Sequence, residues 1–121
     1  MIFKGKKMAR KVDKPWGHEL IWAETEKYVG KILHISNGFC LSLQYHNVKD
    51  ETILVQSGIL TMEIREGESR KIFKMNSGDS IRIKPTIIHR MSAYDGDVDV
   101  IEVSTSELDD VIRLEDSYGR V

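Results

Sequence analysis

The chain has 121 residues, of which 18 are basic and 19 are acidic, and its formal net charge is −1. This length predicts one domain with a single core, and the balanced charge argues against a nucleic-acid-binding protein. Apolar residues make up 40% of the chain, but no apolar run approaches the about 20 residues of a membrane span, so we expect no membrane partner.

The N-terminal segment and the cysteine content bear on the location of the protein. Cys40 is the one cysteine in the sequence and cannot form an internal disulfide, so we expect an intracellular, cytoplasmic location. The basic residues near the N-terminus are Lys4, Lys6, Lys7, Arg10 and Lys11. No apolar stretch follows them, so we expect no signal peptide. We interpret residues 1–13 as a solvated, partly disordered basic arm that precedes a domain at residues 14–121.

Short segments of alternating apolar and polar residues follow this arm. Such alternation predicts β-strands, which we place at residues 28–35, 52–56, 59–65, 70–75, 80–84, 87–93 and 98–103. Turn residues separate these segments at intervals of about eight to twelve residues, which is typical of an all-β sandwich or barrel. The best candidate for a helix is short and lies at residues 108–112, after Ser106.

Polar residues interrupt the apolar pattern at residues 44–51. Gln44 and His46 are two residues apart, so on a strand their side chains point to the same face. Glu51 follows a turn-like segment at residues 47–50, and we predict a hairpin that carries all three donors toward one point. His89 ends a second such segment, residues 78–89. Two imidazoles, a carboxylate and an amide oxygen suit a divalent transition metal, and zinc, manganese, iron and nickel are all chemically compatible with this set.

Two groups of residues resemble the paired motifs of the cupin superfamily. The first group is Gly38, Gln44, His46, Glu51 and Gly58, and the second is Gly78, Pro85 and His89. Their spacing matches the cupin pattern, except that Gln44 stands where most cupins have a first histidine and that one extra residue precedes Pro85. The resemblance implies a single-domain cupin fold, the double-stranded β-helix or jelly-roll barrel, followed by the short C-terminal helical segment.

A narrower resemblance is to the type II mannose-6-phosphate isomerase family. Residues 42–46 match its Ser-Leu-Gln-x-His motif, residues 14–17 resemble its Arg-Pro-Trp-Gly, and residues 101–103 resemble its Ile-Glu-Val. Residues 108–120 resemble its ending, which has an acidic pair and closes with Tyr-Gly-Arg. Such domains usually form the C-terminal part of mannose-1-phosphate guanylyltransferase. We expect this one to stand alone, because only the short arm precedes it.

The resemblance implies the isomerisation of mannose 6-phosphate to fructose 6-phosphate, with a small sugar phosphate as the partner. It also implies one divalent metal ion, most commonly zinc, and a homodimer. The implied metal ligands are Gln44, His46, Glu51 and His89. The implied catalytic residues are Glu51, Lys49 and Arg120, although a metal-bound carboxylate is a poor base and the general base stays open. The implied substrate-binding residues are Arg113, Arg120 and Arg90, because a guanidinium suits a phosphate.

The sequence also departs from the family pattern beside the predicted ligands. Lys49 stands where the family has an arginine, which removes a bidentate contact, and Thr52 and Ile53 replace a polar–aromatic pair. Three interpretations therefore stay open. The chain is a metal-dependent sugar-phosphate isomerase, a non-catalytic metal-binding cupin that binds a small sugar-like ligand, or another metal cupin enzyme such as a dioxygenase or an epimerase.

Overall fold

The computed structural model describes residues 8–121 of the chain, which form eleven β-strands in two antiparallel sheets. The strands are β1 (Arg10–Lys14), β2 (Gly17–Glu24), β3 (Val29–Ile35), β4 (Leu43–Tyr45), β5 (Glu51–Ser57), β6 (Leu60–Glu66), β7 (Ser69–Met75), β8 (Ser80–Ile83), β9 (Ile88–Ser92), β10 (Val98–Ser104) and β11 (Ile112–Glu115). The predicted all-β fold is confirmed.

Strands that follow one another in the chain are often distributed between the two sheets. The strand order is β1-β2-β3-β10-β5-β8 in the six-stranded sheet and β11-β4-β9-β6-β7 in the five-stranded sheet. The chain therefore passes from β3 to β4, from β4 to β5 and from β5 to β6 by crossing between the sheets. This is the jelly-roll arrangement that the motif spacing predicts.

The inward faces of the two sheets enclose one apolar core. Buried residues alternate along the strands, as in Leu33 and Ile35 on β3 and Val98 and Val100 on β10. Trp16 joins this core from the turn between β1 and β2 and is only 3% exposed. Burial of a large apolar side chain stabilises a fold by about 1.5–3 kcal/mol, so Trp16 holds the N-terminal hairpin against the barrel.

The predicted hairpin between residues 44 and 56 is wrong in its pairing. β4 belongs to the five-stranded sheet and β5 to the six-stranded sheet, and the loop between them crosses from one layer to the other. The backbone amides of this loop bond to Asp110 instead of forming a tight turn between paired strands. The loop still brings Gln44, His46 and Glu51 toward the interior, because they approach it from two opposite layers.

The predicted C-terminal helix at residues 108–112 is also absent. Residues 105–111 form turns, and β11 begins at Ile112 and pairs with β4. The backbone of this segment is engaged elsewhere, since the carbonyl of Asp110 accepts a hydrogen bond from His46. In an α-helix that carbonyl would instead accept a hydrogen bond from an amide of the helix itself, and the contact with His46 would be lost. None of residues 8–121 belongs to a helix long and apolar enough to cross a bilayer.

Part of the predicted basic arm is a strand. Lys4, Lys6 and Lys7 lie outside the described residues, whereas Arg10–Lys14 forms β1 and pairs with β2 along its whole length. The backbone amides and carbonyls on one side of β1 form hydrogen bonds with β2, and β1 is the edge strand of the six-stranded sheet. Residues 10–13 are therefore part of the sheet rather than a solvated segment.

We predict that Gly58→Ala lowers the free energy of unfolding more than Gly67→Ala does. Gly58 has a φ of 84°, and a Cβ atom there would clash with the carbonyl oxygen of Asp97, whereas Gly67 has a φ of 61° and open space around it. Both changes add left-handed strain of about 1–2 kcal/mol, but only the first adds a clash with backbone. Urea unfolding followed by tryptophan fluorescence measures both losses, and equal losses would contradict the prediction.

Candidate metal centre

Three donors from separate segments meet in the interior between the sheets. His46 follows β4, Glu51 begins β5, and His89 lies on β9. Glu51 Oε1 is 3.3 Å from His46 Nε2 and 3.1 Å from His89 Nε2. All three residues are at most 2% exposed. Within residues 8–121, they are the one group of three His, Cys, Asp or Glu side chains whose ligand atoms lie within 4.8 Å of one another.

Backbone carbonyls determine which nitrogen each histidine ring presents to this group. His46 Nδ1 donates to the carbonyl of Asp110 at 2.6 Å, and His89 Nδ1 donates to the carbonyl of Ile87 at 3.0 Å. With its proton on Nδ1, a neutral imidazole offers the Nε2 lone pair as a ligand. Both Nε2 atoms face Glu51, so the rings are oriented as metal ligands are.

These donors fit a divalent metal ion. Two nitrogen lone pairs and a carboxylate oxygen repel one another at about 3 Å unless a cation lies among them. Among the described residues, His89 Nε2 has no hydrogen-bond partner although it is buried, and a buried polar atom normally has one. Ligand atoms bound to one ion at about 2.0–2.2 Å are themselves separated by about 3 Å, which agrees with the observed spacing.

Gln44, the fourth predicted ligand, lies beside His89. The two residues are directly opposite each other on β4 and β9, so their side chains share the inward face at a Cβ separation of about 5 Å. Ser42 Oγ donates to Gln44 Oε1 at 2.6 Å, and an amide oxygen has a second lone pair that remains available. This position suits a neutral oxygen ligand next to the three buried donors.

The turn before β9 connects the segment that carries His46 to the strand that carries His89. Thr86 lies in this turn, after Pro85, and has a φ of 74°, which is rare for a β-branched residue. Its amide donates to the carbonyl of His46 at 2.6 Å. Strain of this kind is of the order of 1–3 kcal/mol and persists only where surrounding contacts fix the backbone. The bond to His46 is such a contact, and it sets the approach of β9 and therefore of His89.

Lys49 is buried between two carboxylates. Its Nζ is 3.2 Å from Glu51 Oε2 and 3.2 Å from Glu102 Oε2, and the residue is 4% exposed. Burial by itself would lower the pKa of Lys49, but the charges of Glu102 and Glu51 outweigh burial and raise that pKa above its ordinary value of 10.5. Lys49 is therefore charged at neutral pH and contributes a fixed positive charge beside the donors, not a base.

The two carboxylates next to Lys49 differ in their acidity. Burial raises the pKa of Glu51, but contacts with the His46 and His89 rings and the charge of Lys49 lower it by more, so the pKa lies well below its ordinary value of 4.5. The pKa of Glu102 is raised from 4.5, first by burial and then by the charge of Glu51. Glu51 is therefore the stronger acid of the two and stays ionised, as a metal ligand must.

Asp110 connects the C-terminal segment to the loop that carries His46. Its carboxylate accepts hydrogen bonds from the amides of Asn47, Val48 and Lys49 at 3.0, 2.7 and 2.9 Å. These bonds, with that of Lys49 the largest, lower the pKa of Asp110 to about 2. Its backbone carbonyl accepts from His46 Nδ1, so one residue orients both the loop and a candidate ligand.

A cavity of about 240 Å³ opens beside the donors, between β1 with its following turn and the C-terminal segment. Gln44 and His46 lie in its wall. The charged residues among those described that line it are Arg10, Lys14, Lys31, Lys49, Arg113, Arg120, Glu19 and Asp109. Cationic groups outnumber acidic ones in this wall, and a concave surface with such an excess favours an anionic ligand.

Arg113 and Arg120, two of the predicted substrate-binding residues, line this cavity. Arg113 is opposite Gln44 in the pairing of β11 with β4, and its Nε is buried without a hydrogen-bond partner among the described residues. Arg120 donates twice to Asp116 at 2.8 Å, which fixes its side chain against the C-terminal segment. The structure therefore brings both arginines to the site that contains the candidate ligands.

Arg90, the third predicted substrate-binding residue, is not among the residues that line the cavity. It follows His89 on β9, and adjacent residues of a strand point to opposite faces. On that outer face Arg90 donates to Glu63 at 3.4 Å and to Glu115 at 3.2 Å. The structure therefore separates Arg90 from the predicted ligands, although it is next to one of them in sequence.

Four polar residues near the donors were missed by the sequence analysis: Glu19, Lys31, Glu102 and Asp110. Lys31 and Glu102 occupy inward positions of β3 and β10 whose other members are uncharged and mostly apolar. A charged residue at an inward position of such an alternation is the signal that could have identified them. Glu19 and Asp110 carry no comparable signal, because their contacts are with segments distant in sequence.

Comparison with known proteins gives one matching family profile and several similar curated proteins. The profile of the family described as mannose-6-phosphate isomerase C-terminal matches residues 4–116. The xanthan biosynthesis protein XanB of Xanthomonas campestris pv. campestris is 31% identical over 115 residues, which cover 92% of this chain and 24% of that protein. The mannose-1-phosphate guanylyltransferase ManC of Salmonella typhimurium is 34% identical over 119 residues, with coverage of 94% and 24%. The chain thus spans about a quarter of the length of these relatives.

Solved structures confirm the cupin fold. The capsular polysaccharide assembling protein CapF from Staphylococcus aureus superimposes with a TM-score of 0.79 at 15% identity, covering 91% of this chain and 35% of that one. Oxalate decarboxylase from Bacillus subtilis gives 0.78 at 13% identity, with 88% and 30% covered. KdgF from Halomonas sp. gives 0.71 at 20% identity, with 88% and 94% covered. Identities this low establish the fold alone.

We predict that His46→Ala and His89→Ala each abolish stoichiometric metal binding, because each removes one of two buried nitrogen ligands. His18→Ala is the matched control, since His18 lies on β2 and stacks on His34 outside the group of donors. Inductively coupled plasma mass spectrometry of the purified proteins, and calorimetric titration of the stripped proteins with zinc, measure the effect. Metal retained at the wild-type level by both alanine variants would contradict the assignment.

We predict that Asp116→Asn destabilises the fold at neutral pH but not near pH 2. The Asp116 side chain is fully buried, and hydrogen bonds from Arg120 lower its pKa from 3.8 to about 2. Because the folded pKa is the lower one, the contribution is complete above about pH 4 and is lost as the pH falls through about 2. Urea unfolding at several pH values should show a loss of about 1–2 kcal/mol at pH 7. A difference that does not depend on pH would contradict this.

Proposed function

This chain belongs to the mannose-6-phosphate isomerase C-terminal family, and from that premise we propose that it is a metal-dependent sugar-phosphate isomerase that converts mannose 6-phosphate to fructose 6-phosphate. The observation that carries the proposal is the buried group of His46, Glu51 and His89 beside a cavity rich in cations. A carbohydrate phosphate needs both features, since its sugar oxygens suit a metal and its phosphate suits arginine and lysine.

The proposed ligands of one divalent ion are Gln44, His46, Glu51 and His89. Zinc is the first candidate metal, and manganese, iron and nickel are also compatible with this mixed nitrogen and oxygen set. When bound, the ion supplies Lewis-acid polarisation of the sugar oxygens. The low pKa of Glu51 supports its role as an ionised ligand and argues against its use as a base.

The proposed phosphate-binding residues are Arg113 and Arg120. Arg113 has a buried Nε whose hydrogen-bonding capacity is unused among the described residues, and a phosphate oxygen would satisfy it. Arg120 is held in place by Asp116, and a fixed guanidinium loses less conformational entropy when it binds an anion. Lys14 also lines the cavity and adds positive charge for the same group.

Lys49 is the proposed electrostatic catalyst. Movement of a proton between two adjacent sugar carbons passes through an enediolate, in which negative charge develops on a sugar oxygen. Lys49 lies in the cavity wall and keeps its positive charge because Glu51 and Glu102 flank it. A charge already fixed in a buried site stabilises a developing anion without reorganisation, and this substitutes for the arginine that the family carries at this position.

We extend the proposal to a homodimer located in the cytoplasm. The outward face of the six-stranded sheet carries Leu20, Ile32, Ile101 and Leu54 in direct register across four strands. Trp22 lies on the same sheet and is 49% exposed. A contiguous apolar face of this kind is typical of a surface that packs against a second copy. The single cysteine in the sequence supports the location.

The test is turnover of mannose 6-phosphate by the stripped protein reloaded with zinc, manganese, iron or nickel in turn. We expect activity only with metal, and we expect His46→Ala to abolish it while His18→Ala leaves it unchanged. Formation of fructose 6-phosphate is followed in a coupled assay, and binding of the sugar phosphate is followed by calorimetry with Arg113→Ala as the variant that should weaken it.

Absence of turnover with every metal would overturn the isomerase proposal. If the sugar phosphate still binds and Arg113→Ala still weakens that binding, the protein is a binding cupin that uses the same cavity. If metal binds but the sugar phosphate does not, the substrate belongs to another class, and oxygen uptake with iron would identify a dioxygenase.

A further inference from the structure

A row of six alternating charges crosses the interior of the barrel to the metal site. In order, its members are Lys14, Glu19, Lys31, Glu102, Lys49 and Glu51. The successive distances between their charged atoms are 4.0, 2.9, 3.6, 3.2 and 3.2 Å. We refer to these six residues as the charge row. One end of the row is a candidate metal ligand, Glu51, and four of the other members, Lys14, Glu19, Lys31 and Lys49, line the cavity.

Strand register explains how distant residues form this row. Lys31 and Glu102 are directly opposite each other on β3 and β10. Glu19 is opposite Leu33 on the neighbouring strand, so it is diagonal to Lys31, and such diagonal pairs lie within reach of long side chains. All of these side chains point inward, toward the core side of the six-stranded sheet.

Stability does not account for the charge row. Lys31, Glu102, Lys49 and Glu51 are all less than 9% exposed, and desolvation of each such group costs several kcal/mol. Buried ion pairs of this kind are often no more stable than apolar residues of similar volume. Their presence inside a barrel whose core is mostly apolar points to a chemical use.

Glu19 is the carboxylate of the row that is accessible from the cavity. Glu19 and Lys31 line the same cavity as Gln44, His46 and Lys49, whereas Glu102 and Glu51 do not line it. Asp109 is the other carboxylate among the described lining residues, but it lies in an exposed turn. Glu19 is therefore a carboxylate that is held in the wall, is separate from the donor group, and is positioned by Lys31 at 2.9 Å.

We infer that Glu19 is the general base and acid that moves the proton between the two reacting carbons of the sugar, with Lys31 as its positioning residue. This inference rests on the proposed isomerase function. The reaction needs a general base, and neither Lys49 nor Glu51 suits that role, because Lys49 is a cation and Glu51 is a candidate metal ligand.

The proton transfer balances without any further reagent. In the open-chain aldose, the Glu19 carboxylate takes the proton from C2. The C2–H electron pair forms the C1=C2 double bond, and the carbonyl pair moves to O1, which gives an enediolate and a neutral Glu19. A proton passes from O2 to O1, the O2 electron pair forms the C2 carbonyl, and C1 takes the proton back from Glu19. The product is the ketose, and Glu19 is again a carboxylate.

The experiment compares Glu19→Gln with the wild-type protein in the metal form that gives the highest turnover. Glutamine preserves the shape of the side chain but cannot accept the proton, so we expect kcat to fall about 100-fold or more. Incorporation of deuterium at C2 of recovered mannose 6-phosphate in D2O should fall in parallel. Metal content, and affinity for the non-isomerisable analogue sorbitol 6-phosphate, should stay within about threefold of wild type. Glu26→Gln, an exposed residue in the turn after β2, is the matched control and should behave as wild type.

The outcomes separate this inference from the function on which it rests. A wild-type protein that shows no turnover overturns both. A wild-type protein that turns over while Glu19→Gln keeps more than about a third of its kcat overturns only the assignment of Glu19. If Glu19→Gln fails to fold or to retain metal, Glu19→Asp decides the matter. That variant keeps the carboxylate charge but shortens the side chain by one methylene group. A tenfold or greater loss of kcat with intact metal content supports the assignment, and an unchanged kcat overturns it.

Discussion

The arrangement of this protein depends on three lone-pair donors that converge where no water can separate them. The Nε2 atoms of His46 and His89 lie 3.3 and 3.1 Å from one oxygen of Glu51, and all three residues are buried. Such a group is stable only with a cation among its members or beside it. The protein provides Lys49 on the far side of Glu51, and the proposed metal ion would lie on the near side, among the three donors.

The donors can converge because the surrounding backbone is fixed at several points. The amide of Thr86 bonds to the carbonyl of His46, and the carbonyl of Asp110 accepts the Nδ1 proton of the same residue. One of these contacts comes from the turn before β9 and the other from the C-terminal segment. Second contacts of this kind orient a metal ligand and hold its tautomer. The C-terminal segment is consequently part of the site, both as an anchor and as a wall of the cavity.

The buried charges of Lys31 and Glu102 lower the stability of the core but serve the chemistry proposed for the site. The inward positions of β3 and β10 would form a more continuous apolar core without Lys31 and Glu102. Instead they carry a pair that extends from the cavity wall toward Glu51. The pairing of each charge with its neighbours limits the cost of burial. It also keeps Lys49 protonated and Glu51 ionised, which are the states that the proposed function requires.

The sequence by itself determined the strand pattern, the cupin motifs and the residues that could bind metal. These signals are local or occur at fixed spacing: alternation marks a strand within a few residues, and two short motifs carry Gln44, His46, Glu51 and His89. The same local evidence misassigned residues 108–112 as a helix, because propensity carries no information about the bonds that Asp110 makes with the loop before β5.

Only the tertiary structure decided how the remaining groups reach the site. Strand register set Arg90 on the outer face and Arg113 on the inner one, although Arg90 is closer to a ligand in sequence. It also aligned Glu19, Lys31 and Glu102, which come from three strands and have no common motif. A one-residue change in register reverses the face of every side chain on a strand. The identity of the groups around the donors was therefore fixed by the pairing of β2, β3 and β10, and long-range pairing of this kind cannot be read from local sequence.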